Sequence, residues 1–197
     1  MLEVNRGLYI GRFQPFHYGH LHALNWILER EDEVIVAIGS AQFSHTLRNP
    51  FTLSERVEMI WRVVKVRKLT SRVIIVGVPD TDEQHSMWVS LIRSYVPRFK
   101  RAYTNDPLSR LLLREGGVDV RNIPFFKRDE YEATRIRQLM INGGEWEKLV
   151  PPEVVEVIKE VKGVERLREL AGRQSHSTTM FDGEKPMSSN SSFTLYL

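Results

Sequence analysis

Gly11-Arg12-Phe13-Gln14-Pro15-Phe16-His17-Tyr18-Gly19-His20 joins the short apolar run Leu8-Tyr9-Ile10 to a segment in which Leu21, Leu24, Ile27 and Leu28 recur at helical spacing. The run before it suits a buried strand and the segment after it a helix, so His17 and His20 bracket the first turn of that helix. A helix start offers unpaired backbone N–H groups and the positive end of the macrodipole, which together favour an anion. The two imidazoles add donors to the same place. Gly11 and Gly19, lacking Cβ, suit a close approach of phosphate or adenine to the backbone. Two blander readings stay open for the histidines: half of a metal site, which would need ligands from elsewhere because the chain has no cysteine, and plain capping or core residues.

Outward from this joint, strand and helix patterns alternate. Candidate strands are Gly7 to Ile10, Glu33 to Ile38, Val73 to Val78, Arg101 to Tyr103 and Val118 to Ile123. The second and third are apolar at nearly every position, as in parallel strands covered on both faces. The pattern predicts an α/β fold: a Rossmann-like, doubly wound parallel sheet of about five strands with helices on both faces. Thr52 and Glu55 form a capping-box pattern opening a helix whose inward stripe is Val57, Ile60, Trp61 and Val64. Ser86 to Tyr95 and Pro107 to Glu115 read as further helices, the latter closing at Gly116-Gly117.

From Thr134 the chain turns helical, with Ile136, Leu139 and Met140 inward until Gly143-Gly144. Pro151-Pro152 then starts a last helix carrying Val154, Val155, Ile158 and Val161, followed by Val164, Leu167 and Leu170. Residues 1–172 are therefore expected to form one domain, with a helical C-terminal cap over about 134–172. Residues 173–197, rich in Ser, Thr, Gly and Asn, are expected to be a mobile tail, with Phe193 to Leu197 as a candidate returning strand.

Composition narrows the class. With 42% hydrophobic and 27% charged residues, the chain is an ordinary globular protein, and 197 residues suit one α/β domain with appendages. A net charge of +3 without a Lys/Arg block suits a small anionic ligand and argues against nucleic acid as a partner. The absence of cysteine excludes disulfides and thiolate metal sites. No secretory signal is legible, and the apolar runs are too short to span a bilayer, so no membrane partner is expected and the cytoplasm is the default location. Neither a Walker A motif nor a G-x-G-x-x-G occurs. In open parallel sheets ligands bind beyond the carboxyl ends of the strands. Four segments fall there: Gly11 to His20, Gly39 to Arg48, Pro79 to Trp88 and Tyr103 to Pro107.

The segment Gly11 to His20 also resembles the H-x-G-H superfamily of nucleotidyltransferases, and in particular the archaeal-type nicotinamide-nucleotide adenylyltransferases. The resemblance continues through Ile38-Gly39-Ser40-Ala41-Gln42-Phe43-Ser44-His45, Arg48-Asn49-Pro50-Phe51-Thr52 and Glu55-Arg56-Val57. It returns at Trp88, Tyr103-Thr104-Asn105-Asp106-Pro107, Arg128-Asp129-Glu130-Tyr131 and Thr134-Arg135-Ile136-Arg137, covering about residues 6 to 172. Two places depart from the family pattern. Glu132 stands where a serine is usual, two residues before Thr134, and Thr104-Asn105-Asp106-Pro107 replaces a Ser-Gly-Asn-Pro-like loop.

The resemblance implies transfer of AMP from ATP to nicotinamide mononucleotide, and to its nicotinate counterpart, forming NAD and pyrophosphate, with Mg2+ carried on the ATP phosphates and no metal ligand from protein side chains. It implies a homo-oligomer, often a hexamer. On this reading His17, His20, Arg12 and Arg137 are catalytic. ATP is held by Gly11, Arg12, Phe13, His17, Gly19, His20, Tyr103, Asn105, Thr134 and Arg137; the mononucleotide is held by Gly39, Ser40, Arg48, Asp80, Trp88 and Phe125. Guanidinium forks match phosphate oxygens, which suits Arg12, Arg48 and Arg137 to those roles. Arg56 and Arg135 read equally well as solvated helix side chains. The alternatives are another H-x-G-H transferase, acting on FMN or phosphopantetheine, and a nucleotide sensor without turnover.

Overall fold

The computed structural model describes residues 4–127 and 129–179. Its strands are β1 (Arg6–Gly11), β2 (Glu33–Ile38), β3 (Val73–Gly77), β4 (Arg101–Tyr103) and β5 (Asp119–Arg121), all parallel, in the order β3-β2-β1-β4-β5. The helices are α1 (Tyr18–Leu28), α2 (Leu53–Val66), α3 (His85–Tyr95), α4 (Pro107–Glu115), α5 (Ala133–Asn142), α6 (Pro152–Glu160) and α7 (Gly163–Thr179), with a 3-10 turn at Trp146–Leu149. None of them is long and apolar enough to cross a membrane, among the described residues.

The two-residue period of a strand sorts the core into two layers. Tyr9, Val34, Val36 and Ile38 pack with Leu24 and Ile27 of α1 and Ile60 and Val63 of α2. Leu8, Ile35, Ala37 and Ala102 point the other way, onto Ile92 of α3 and Leu113 of α4. This is the doubly wound, Rossmann-like α/β fold that the alternation predicts. The chain runs outward from β1 to β3 through α1 and α2, then crosses back to place β4 on the other side of β1. Loops leaving β1 and β4 thus diverge, and a crevice opens at their carboxyl ends. Gly11 pairs with Ile38, and the Gly39 amide donates to the Gly11 carbonyl at 2.9 Å, so the first two loops leave the sheet side by side.

The helices α5, α6 and α7 cover the α1/α2 face. Val154, Val157, Ile158 and Leu167 are buried there, each contributing about 1.5–3 kcal/mol relative to exposure. Arg62 reaches Glu160 at the surface and Arg67 reaches the part-buried Glu153 across the α2–α6 seam, the exposed pair carrying less weight.

Three expectations need correction. The inward stripe of α2 is Arg56, Met59, Ile60, Val63 and Val64, and Trp61 is 42% exposed: it lies one residue, or 100°, beyond Ile60, outside the stripe. The last helix is two helices, because Lys162 takes a left-handed φ of 52° and Gly163 packs so closely that a Cβ would meet Phe51 at 2.6 Å. Finally, α7 continues past Gly172 to Thr179, so the expected tail begins inside a helix. The rest of that tail, with Phe193 to Leu197, lies outside the described residues, as does Arg128.

Candidate active site

The H-x-G-H joint folds as a helix start capped by its own histidines. The His20 amide donates to His17 Nδ1 and the His17 amide donates to His20 Nδ1, each at 3.3 Å, a capping box built from imidazoles. The rings stack with centroids 3.6 Å apart. With Nδ1 accepting, the proton of each neutral ring sits on Nε2. Burial pushes His17 down to about 3; burial, and then the neighbouring His17, hold His20 well below the usual histidine range. Both rings are therefore neutral Nε2–H donors at physiological pH.

The two glycines have a different local reason from the one expected. A Cβ on Gly11 would strike the Phe13 ring at 2.9 Å, and one on Gly19 would strike the His17 ring and Tyr131 Cβ at 3.0 Å. Each glycine makes room for the side chains that shape the loop.

Beside the joint, at the strand ends, lies a cavity of about 410 Å³, a size suited to a small ligand. Its floor is apolar, with Ile10, Ala37, Val78 and Ile92, and its rim is polar, with Gly11, Arg12, Gly39, Ser40, Arg48, Asp80 and Trp88. The Gly39-Ser40 turn is fixed by Asp80: Ser40 Oγ donates to Oδ2 at 2.6 Å and the Ser40 amide to Oδ1 at 3.2 Å. Ser40 holds a φ of 51°, and on the same rim Asp82 and Glu83 hold 42° and 69°. Left-handed residues other than glycine cost of order 1–3 kcal/mol each.

The arginines gather at this end. Burial first, and then the neighbouring Arg48 charge, lower the Arg12 pKa, with Asp80 and Asp106 opposing. Arg137, buried on the second turn of α5, is lowered to about 10 by burial and by Arg12. It donates to the Gln14 carbonyl at 2.9 Å and to Thr134 Oγ1 at 3.3 Å. Gln14 in turn exchanges two 2.9 Å hydrogen bonds with the Phe51 backbone, which sutures the first loop to the segment carrying Arg48. The N-cap of α5 is Glu132, whose side chain makes no capping bond, so that helix start carries no side-chain cap.

Of the residues singled out from sequence, Gly11, Arg12, Gly39, Ser40, Arg48, Asp80 and Trp88 line the cavity. His17, Gly19, His20, Thr134 and Arg137 do not line it; the first four lie at the starts of α1 and α5, and Arg137 on the second turn of α5. Four others do not present side chains to the site. Phe13 is 1% exposed, its ring packed among Tyr9, Phe16 and His20. The Tyr103 ring turns away from the rim, and its hydroxyl donates to Glu31 at 2.6 Å near the opposite, amino end of the strands. Asn105 spends its amide on the backbone of Ile123, donating at 2.8 Å and accepting at 3.0 Å. Phe125 is 60% exposed and does not line the cavity. Aromatic and amide side chains near a strand end go where packing and backbone satisfaction take them, which a motif does not specify.

Sequence reasoning missed Arg56. It is fully buried and donates to the carbonyls of Arg12 (3.0 Å), Gly39 (2.8 Å), Ser40 (3.1 Å) and Thr52 (3.2 Å). The signal was available: counted back from Val63, Ile60 and Met59, position 56 falls on the buried stripe. It also missed Asp82, Glu83 and His85 on the cavity wall. Among the described residues no group of three or more His, Cys, Asp or Glu side chains is arranged to hold a metal ion.

Residues 8–139 match the cytidylyltransferase-like family, and with a capped H-x-G-H joint at the switch point of a parallel sheet this defines the class as a nucleotidyltransferase. The chain is 46% identical to the nicotinamide-nucleotide adenylyltransferase of Halorubrum lacusprofundi over 90% of its own length and 99% of the relative's. It is 51% identical to that of Caldivirga maquilingensis (83% and 92%) and 49% identical to that of Pyrococcus horikoshii (84% and 89%). The chain belongs to the family of nicotinamide-nucleotide adenylyltransferases. Among solved structures it is similar to a bifunctional NMN adenylyltransferase/ADP ribose pyrophosphatase from Francisella tularensis complexed with AMP and a manganese ion, at TM-score 0.72 and 22% identity. That match covers 93% of this chain and 58% of the bifunctional protein, and at this identity it speaks for the fold.

Proposed function

We propose that the chain transfers the adenylyl group of Mg·ATP to nicotinamide mononucleotide, with the mononucleotide in the cavity and ATP across the starts of α1 and α5. One observation carries this reading: every residue assigned to the mononucleotide except Phe125 lines the cavity, and the residues assigned to ATP meet that cavity only at Gly11 and Arg12. Two substrates placed on either side of Gly11-Arg12 would bring the mononucleotide phosphate to the α-phosphorus of ATP.

An oxygen of the mononucleotide 5′-phosphate attacks that phosphorus in line, the bond to the bridging oxygen of pyrophosphate breaks, and no protein nucleophile is needed. Both reactants are anions, so catalysis is a matter of positioning and charge. Arg48 holds the mononucleotide phosphate, Arg137 and the uncapped start of α5 hold ATP phosphates, and Arg12 stands between. The neutral Nε2–H groups of His17 and His20 donate to the α-phosphate and the departing pyrophosphate without first taking up a proton. Trp88 offers a ring face to the pyridine. Asp80, Asp82 and Glu83 on the wall disfavour a second carboxylate there, so the amide is preferred over nicotinate mononucleotide while both are used. The metal enters with ATP as Mg2+, and the family resemblance supports a cytoplasmic homo-oligomer.

Pyrophosphate release with Mg·ATP and a panel of nicotinamide mononucleotide, nicotinate mononucleotide, FMN and phosphopantetheine tests the reading. Release with the two pyridine nucleotides, amide first, is expected. Faster turnover of FMN or phosphopantetheine, or ATP binding with no release for any acceptor, would replace it.

A further inference from the structure

Arg56 lies behind the cavity, and each of its cross-loop partners lines that cavity: one nitrogen of its fork donates to the Arg12 and Gly39 carbonyls and the other to Ser40. Its Nε returns to Thr52 at the head of its own helix. All four acceptors are backbone carbonyls, so a fully buried cation sits below the rim with no carboxylate bonded to it. Leaving a charge so placed is costly unless its hydrogen bonds are satisfied and a further anion arrives. The helix that aims it is itself anchored: Glu55 closes the cap of α2 on Thr52 and takes two 2.7 Å bonds from Arg166 of α7, which also donates to the Pro50 carbonyl.

We propose that Arg56 is a positioning residue of adenylyl transfer. It clamps the loops after β1 and β2 to each other, which fixes where Arg12 and the left-handed Ser40 stand, and it supplies a positive charge beneath the seam where two phosphates must meet. The inference rests on the reaction proposed above. A three-carbonyl clamp requires a planar fork, and an ammonium of similar reach holds one or two of these oxygens at a time.

The test compares Arg56→Lys and Arg56→Met with the wild type by pyrophosphate release, each assayed well below its melting transition, with circular dichroism reporting the fold. Misplacing reacting groups by about 1 Å costs roughly a hundredfold in rate. Turnover per folded molecule is expected to fall by about that factor in Arg56→Met and by about tenfold in Arg56→Lys, the retained charge giving partial rescue while the Michaelis constant for ATP changes less than turnover. Because Arg56 acts through Arg12, the double variant Arg12→Ala/Arg56→Lys should lose less than the product of the single losses. Turnover within about twofold of wild type in a folded Arg56 variant, multiplicative losses in the double variant, or loss of the fold in both Arg56→Lys and Arg56→Met would each overturn the proposal. A wild type that releases no pyrophosphate would instead remove the reaction on which it rests.

Discussion

The two ends of the sheet differ in how far their arginines are paired with carboxylates. At the amino ends of the strands Arg6 pairs with Glu33 at 2.5 Å and Arg101 pairs with the buried Glu31 at 2.9 Å and with Asp119 at 3.4 Å, while Arg72 beside β3 donates to the carbonyls of Leu28, Glu31 and Asp32. At the carboxyl ends Arg56 and Arg137 are buried against carbonyls and a hydroxyl; burial and then a neighbouring arginine lower the pKa of Arg12 and Arg137, while for Arg56 burial is opposed by Asp80 more strongly than it is aided by Arg12. The first arrangement is complete in itself. The second holds like charges together, an arrangement that the phosphate oxygens of the proposed substrates would complete. On the function proposed above, the paired end serves stability and the end with clustered arginines serves an anionic ligand.

The contrast breaks most sharply at the histidines. His20→Ala removes one preorganised donor from the carboxyl end, so turnover should fall roughly a hundred- to a thousandfold while mononucleotide binding changes little. Stopped assays of pyrophosphate release beside calorimetric titration of the mononucleotide check this, and near-normal turnover in folded His20→Ala would take His20 out of the chemistry.

The amino end predicts the converse. Glu31→Gln removes the charge that Arg101 and Tyr103 share, at a cost of about 1–3 kcal/mol in stability, and leaves turnover per folded molecule unchanged. Urea unfolding with a parallel assay reads both. A change in turnover with unchanged stability would mean that the two ends are not separable.

A smaller effect follows from the imidazole cap. His17 titrates at about 3 in the folded protein against about 6.5 unfolded, so its neutral form contributes stability that is fully present above pH 6.5 and is lost as pH falls from there toward 3. The slope is at most about 1.4 kcal/mol per pH unit for each such histidine. Asn is a good N-cap that does not titrate, so His17→Asn should keep the helix start and flatten the dependence of melting temperature on pH between 6.5 and 5. An unchanged slope would place the acid sensitivity elsewhere.

How much of this was legible in the sequence follows from the kind of force involved. Strand alternation and helical stripes record burial, and they placed β2, β4 and α4 at their observed limits because each position there carries the same message. Edges are less well written: β5 is three residues long where six were expected, since Val118 and Ile123 are apolar without pairing. The carboxyl-end loops were legible as a site because four segments bearing motif residues converge at one end of a parallel sheet. Side-chain direction within those loops was not. Tyr103 and Asn105 follow hydrogen-bond partners 72 and 18 residues away, and Arg56 reads equally well as solvated in the sequence because a charged residue on a buried stripe is satisfied only by carbonyls that the fold brings from two other loops.

The proposed division of the carboxyl end into two phosphate sites that meet at Gly11-Arg12 is open to test by exchange of fork for point charge at each site in turn. Arg48→Lys and Arg137→Lys keep the charge and lose bidentate geometry. Initial rates with each substrate varied in turn should show Arg48→Lys raising the Michaelis constant for the mononucleotide by roughly tenfold with that for ATP little changed, and Arg137→Lys doing the reverse. If both variants are impaired mainly toward ATP, or both mainly toward the mononucleotide, the two sites are not divided as described and the account is wrong.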